Sequence, residues 1–327
     1  MHVMVLGAAG MIGRKLSQRL AATGEIDGKN IDRLTLADTV APEGPEAAFP
    51  VETVTFDLCD PADVVAMIGR KPDIIIHLAA IVSGEAEADF EKGYAVNLDG
   101  TRLLLEAIRA EHERDGYRPR FVFASSIAVF GAPFPTPIGD EFVRAPLTSY
   151  GTQKAICELL LNDYSRRGLV DGIGIRLPTI CIRPGLPNKA ASGFFSSILR
   201  EPLVGQEAVL PVADTVRHWF ASPRTAVDFL VHAAALHTEQ LGPRRCLSMP
   251  GIMASVGEQI EALGRVAGDK ATSLIRREPD ETIAGIVAGW PEGFEAKRAE
   301  SLGFRADASF DDIIRIHITD ELDGKVG

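Results

Sequence analysis

The sequence predicts an α/β fold, a doubly wound parallel sheet carrying a smaller C-terminal cap. Three observations lead there. Short apolar runs alternate with helical patterns through the first half of the chain, which implies βαβ units and a parallel sheet. Several runs are apolar throughout, as strands are when both sheet faces are covered. A turn with regularly spaced glycines follows the first run directly.

In chain order, the run at 2–6 predicts the first strand and 11–22 the first helix. Strands are expected at 34–38 and 51–56, separated by a Pro-, Ala- and Glu-rich surface loop at 43–50. A helix at 61–69, a strand at 74–78, one long helix over 90–114, a strand at 121–125, a helix over 149–167 and a strand at 174–177 follow. After Leu177 prolines and glycines cluster, at Pro178, Pro184, Gly185, Pro187 and Gly193. A helix at 223–237, a short strand at 245–249 and helices near 255–266, 282–288 and 310–322 complete the reading. The expected organisation is a nucleotide-binding domain over 1–177, to which 216–249 returns. A substrate-binding cap would be built from 178–215 and 250–327.

Composition narrows the function classes. The 327 residues are 46 % apolar and 24 % charged, ordinary for a globular protein, and the net charge is −11. That balance argues against nucleic acid and anionic lipid as partners. Four cysteines without a CxxC pair read as reduced thiols of a cytoplasmic protein. Seven histidines show no metal-ligand spacing, so no metal is expected. No apolar run approaches a membrane span.

The glycine turn reads Gly7-x-x-Gly10-x-x-Gly13. Gly7 permits the tight turn, Gly10 lets the backbone approach a pyrophosphate, and Gly13 allows helix and strand to pack closely. The helix start at Met11 and Ile12 then presents free amides to phosphates. Together these features describe a Rossmann-type dinucleotide site. Asp38 ends the second strand, where an acid accepts ribose hydrogen bonds and repels a 2′-phosphate; Thr39, not an arginine, follows. The cofactor expected is therefore NAD. Asp57 and Leu58, and then Leu78, Ala79 and Ala80, end later strands, where ligands bind in open sheets. Asp57 serves equally well as a cap for the helix near Pro61. Pro178 and Ile180 are expected to fix the nicotinamide face.

Tyr150 and Lys154 open a predicted helix at i, i+4 spacing, which puts phenol and ammonium on one face. A neighbouring cation stabilises a phenolate, making Tyr150 a usable base. The strand at 121–125 ends in Ser125 and Ser126. A hydroxyl there could hold the substrate oxygen that Tyr150 deprotonates, or serve only the turn.

These motifs, with Val96-Asn97-Leu98-Asp99-Gly100-Thr101 and Val129-Phe130-Gly131, resemble in order those of extended short-chain dehydrogenases and sugar epimerases, the NAD-dependent epimerase/dehydratase family, over about the first 180 residues. The resemblance implies Ser126, Tyr150 and Lys154 as catalytic triad. It also implies a supporting role for Asn97 near the cofactor or a helix kink, and a homodimer through two helices of the Rossmann domain. Phe130 stands where many relatives carry tyrosine. The stretches 122–131, 176–185 and 216–220 resemble more closely the D-erythronate dehydrogenases, which oxidise the C2 hydroxyl of a small sugar acid to 2-oxo-tetronate. An arginine would hold such a carboxylate bidentately. Arg183 and Arg217 are the candidates, with His218 as a helper; each arginine reads equally as a surface or interface charge. The alternatives are an NDP-sugar epimerase or dehydratase, another small-polyol or uronate dehydrogenase, and a non-catalytic NAD-binding regulator, which would have no need of the triad.

Overall fold

A computed structural model describes residues 1–185 and 192–327; Pro187 and the rest of 186–191 lie outside the described residues. The chain separates into two compact units. The first comprises Met1–Val129, Thr148–Arg176 and Val227–Leu247; the second comprises Phe130–Leu147, Leu177–Ala226 and Ser248–Gly327. Apart from residues 177 and 248–249, which fall in the second unit, two segments differ from the sequence reading. Residues 130–147 join the second unit, as do 216–226, so the return to the first unit begins at Val227.

The first unit begins with β1 (His2–Leu6) and α1 (Met11–Thr23), then β2 (Arg33–Asp38), β3 (Val51–Thr55), α2 (Pro61–Ile68) and β4 (Ile74–His77). Next come α3 (Phe90–Gly93), a π-helical turn (Tyr94–Gly100), α4 (Thr101–Asp115) and β5 (Arg120–Ser126). The elements α5 (Ser149–Arg166), β6 (Asp171–Leu177), α6 (Pro223–Ala235) and β7 (Cys246–Ser248) complete the series. The sheet order is β3-β2-β1-β4-β5-β6-β7. The β2–β1, β1–β4, β2–β3 and β4–β5 ladders are parallel. Winding reverses between β1 and β4, and such a switch point opens a crevice at the strands' carboxyl ends. Leu6 stands opposite both Ala37 and His77, so the ends of β2, β1 and β4 finish level.

Local chemistry sets the element ends. Asp60 accepts from the Ala62 amide with Pro61 in the first turn of α2, and Thr148 accepts from the Gly151 amide to cap α5. Gly24 and Gly116 end α1 and α4 in the left-handed conformation. On one face of the sheet, Met4, Leu6, Ile75, Phe121 and Phe123 bury against Leu104, Ile108, Cys157 and Leu161. Burying an aliphatic side chain of this size contributes about 2 kcal/mol.

One element departs from the expected single helix over 90–114. The helical path is α, then π, then α, and Asn97 lies in the wide turn. The Asn97 carbonyl accepts from Thr101 Oγ1 at 2.8 Å and from Cys157 Sγ at 3.2 Å, side-chain donors that compensate for the disturbed helical ladder.

The second unit holds a three-stranded sheet. Thr179–Ile180 pairs in parallel with Arg217–Ala221, which pairs antiparallel with Ile252–Ser255. Helices Gly193–Leu203, Val256–Ala267 and Phe310–Glu321 contribute to a core containing Phe195, Ile198, Phe220, Leu263, Ile313 and Ile314. Ser255 and Glu258 form a reciprocal capping box at the start of the middle helix.

Candidate active site

The glycine turn joins β1 to α1, and each glycine meets a different constraint. Gly7 has φ +88°, and a Cβ there would lie 2.6 Å from the Ala79 amide nitrogen. A Cβ on Gly13 would lie 2.2 Å from the Gly7 carbonyl oxygen. Both are therefore required by the protein's own packing. Gly10 is exposed, and a Cβ on it would meet only the Gly7 oxygen, at 3.4 Å. Among the described residues nothing else comes within 4 Å of that position, which leaves the turn open to an approaching group. Helix α1 has no side-chain cap and no acid in its first turn, which leaves the amides of Met11 and Ile12 for an anion. Asp38 Oδ2 accepts from the Ala9 amide at 2.9 Å and Oδ1 from the Thr39 amide at 2.7 Å, fixing the carboxylate beside the turn. These residues fit a dinucleotide: backbone amides for its pyrophosphate and an anchored carboxylate for its ribose.

The other assigned cofactor residues differ in what they offer. Asp57 Oδ1 accepts from the Cys59 amide, while Asp60 is the residue that caps α2, so the capping alternative for Asp57 is set aside. Leu58 is buried, and its side chain abuts Gly100, leaving only its backbone to face a ligand. Leu78 and Ala79 continue from β4, with the Leu78 amide on the Leu6 carbonyl; like Ala80, both are partly exposed. Asn97 engages its side chain within the first unit. It is fully buried, accepts from the Ile81 amide at 2.9 Å and donates to Gln153 Oε1 at 2.8 Å. These bonds tie the loop after β4 to α5, which carries Tyr150 and Lys154.

Tyr150 lies in the first turn of α5 and Lys154 one turn on. The Lys154 ammonium is 5.8 Å from the centre of the Tyr150 ring and 4.7 Å from that of Phe123. It donates to the Ala124 carbonyl at 2.9 Å. Burial pulls its pKa down to about 8, opposed by its electrostatic interactions with Cys157 and the Glu158 carboxylate. The two serines face opposite ways, as alternation along a strand requires. Ser125 is buried and donates to Glu158 at 2.6 Å; Ser126 is partly exposed and accepts from the Ala128 amide at 3.1 Å. Ser126, Tyr150 and Lys154 thus belong to one unit, at the carboxyl end of β5 and the start of α5.

In the second unit, Pro178 lies between β6 and the strand that contains Ile180. His218 differs from the expected helper. It is buried, its Nδ1 donates to the Pro291 carbonyl at 2.8 Å, and its Nε2 accepts from Thr179 Oγ1 at 2.6 Å. Burial lowers its pKa to about 4, which keeps the ring neutral near pH 7. Arg183 donates to the Ile180 carbonyl and to Ser192, and Arg217 pairs with Glu258 at 3.2 Å. Sequence reading passed over Gln153, Glu158 and Arg176, whose partners lie 18 to 56 residues away in the chain. His77, which the sequence places with Leu78, Ala79 and Ala80 at a strand's carboxyl end, is buried at the end of β4 with its pKa lowered to about 3.

The profile of the NAD dependent epimerase/dehydratase family matches residues 3–240. The chain is 47 % identical over 324 residues to a D-erythronate dehydrogenase of Cupriavidus necator, covering 98 % of each. It is 42 % identical over 315 residues to one of Haemophilus influenzae, covering 96 % of this chain and 98 % of that one. A solved structure described as the nucleoside-diphosphate-sugar epimerase from Agrobacterium tumefaciens matches with TM-score 0.98 at 63 % identity, covering 100 % of this chain and 96 % of that one. L-threonine 3-dehydrogenase from Trypanosoma brucei matches with TM-score 0.85 at 25 % identity, covering 99 % and 98 %.

Proposed function

From the premise that this chain belongs to the NAD-dependent epimerase/dehydratase family, we propose that it oxidises D-erythronate at the C2 hydroxyl to 2-oxo-tetronate. It is an NAD-dependent enzyme acting on a CH–OH group. The carrying observation is the meeting of Tyr150 and Lys154 on one face of α5, with the Lys154 ammonium 5.8 Å from the ring. That cation lowers the cost of a phenolate, so Tyr150 accepts the C2 hydroxyl proton. Ser126 steadies the same oxygen: the Ala128 amide occupies one of its lone pairs and leaves the hydroxyl hydrogen to donate. NAD, when bound, takes up the hydride released from the carbinol carbon. The amides of Met11 and Ile12 would hold its phosphates and the Asp38 carboxylate its ribose.

The substrate carboxylate is assigned on chemical grounds to Arg183 or Arg217, since a guanidinium pairs with a carboxylate through two parallel bonds. Single alanine substitutions should raise KM for the acid far more than KM for NAD. A homodimer through α3–α4 and α5 is part of this reading, supported by the exposure of Phe90 and Leu159 on those helices. So is a cytoplasmic setting; among the described residues no helix is long and apolar enough to cross a membrane.

The description of the Agrobacterium tumefaciens relative favours a second reading, sugar-nucleotide epimerisation. The two differ in redox outcome. Purified protein given NAD and D-erythronate should accumulate NADH in step with the acid consumed. NADH that fails to accumulate while an NDP-sugar is interconverted would replace the first reading with the second.

A further inference from the structure

Behind Lys154 lies a carboxylate that the proposed chemistry does not use. Glu158 is fully buried one turn further along α5. Its Oε1 accepts from Ser125 Oγ at 2.6 Å and from Arg176 Nε at 2.8 Å, and its Oε2 accepts from Arg176 Nη2 at 2.8 Å. Ser125 directly follows Ala124, whose carbonyl receives the Lys154 ammonium. Successive turns of α5 therefore grip consecutive residues of β5: Lys154 holds Ala124, and Glu158 holds Ser125. A carboxylate and an ammonium four residues apart on a helix ordinarily attract each other. Here the arginine fork on β6 engages the carboxylate from both sides, and the ammonium turns toward the Phe123 and Tyr150 rings. A buried ion pair returns little net stability for its desolvation, so its presence beside Lys154 calls for another reason.

We propose that Ser125, Glu158 and Arg176 are positioning residues that set the height of α5 against β5 and keep the Lys154 ammonium directed at Tyr150. This rests on Tyr150 as the base and is independent of which acid is the substrate. The titratable and charged groups around Lys154 are His77 on β4, Tyr150, Cys157 and Glu158 on α5, and Arg176 on β6.

The test replaces both charges at once, Glu158→Met with Arg176→Met, which leaves net charge unchanged and strands no buried ion. Ionisation of Tyr150 is read without nucleotide, as the phenolate absorbance difference between each chain and the same chain carrying Tyr150→Phe. In the folded double variant it should move up by about one pH unit. In addition, kcat should fall about tenfold while NAD affinity stays within about threefold. A folded double variant in which Tyr150 ionises at the original pH overturns the proposal. Should the double variant not fold, Ser125→Ala removes one grip without disturbing a charge. An upward shift in that variant supports the proposal, and no shift overturns it. A parent chain that makes no NADH from D-erythronate, while the variants still shift the Tyr150 titration, overturns the substrate reading and upholds this one.

Discussion

Gly10 and Gly13 lie three residues apart in one turn, yet substitution should act on them through different states. A methyl on Gly13 would press into the Gly7 carbonyl and the Ala8 backbone, so Gly13→Ala should destabilise the fold by about 3 kcal/mol. A methyl on Gly10 meets no forbidding neighbour, so Gly10→Ala should leave the melting temperature within about 2 °C. It should nonetheless raise KM for NAD about tenfold by obstructing the pyrophosphate. Thermal melts and NAD titrations of the two variants check the contrast; equal loss of stability in both would contradict it. Residues of this kind were legible in the sequence because their chemistry is local. Glycines at i, i+3, i+6 and a phenol–ammonium pair at i, i+4 fix their own geometry. Between Ser125 and Ser126, the deciding fact is which face of β5 each occupies, and that depends on Glu158, far along the chain.

At the scale of elements, the strands and most helices of the first unit were readable from periodicity, because both faces of the sheet are buried and the turns carry glycine or caps. The π-helical turn was not. Its apolar residues keep a helical spacing, and the bonds that accompany the wide turn include ones from distant Cys157 to the Asn97 carbonyl and between the Asn97 side chain and Ile81 and Gln153. Gly93 belongs to the same junction: a Cβ there would lie 2.7 Å from Gln153 Nε2. Asn97→Ala should therefore cost about 2 kcal/mol by stranding the Ile81 amide and loosening α5. It should also reduce kcat, because the helix it steadies carries Tyr150. Denaturant titration alongside steady-state kinetics would detect both, and an unchanged kcat would confine Asn97 to stability alone.

For the whole molecule, the sequence reading expected two units, and the structure divides the chain into two, with 130–147 in the second rather than the first. In the structure Ile138–Gly139 pairs with Phe294–Glu295, a match between two-residue strands more than 150 positions apart that no local pattern announces. Each unit also encloses a neutral histidine, His77 in the first and His218 in the second. Unfolded histidines take up protons below about pH 6.5, whereas these stay neutral until about 3 and about 4. Their contribution is fully present above pH 6.5 and is lost as the pH falls, by about 2 kcal/mol each at pH 5. Equilibrium unfolding from pH 7.5 to 5 should show this slope, and His218→Asn should make it shallower by about one proton; an unchanged slope would contradict the assignment. The most direct test of the central claim compares the parent chain with Tyr150→Phe, measuring NADH formed from D-erythronate and, separately, NAD affinity. Turnover should fall at least about a thousandfold while NAD affinity stays within about threefold. Turnover that survives the loss of that one phenol would contradict that claim.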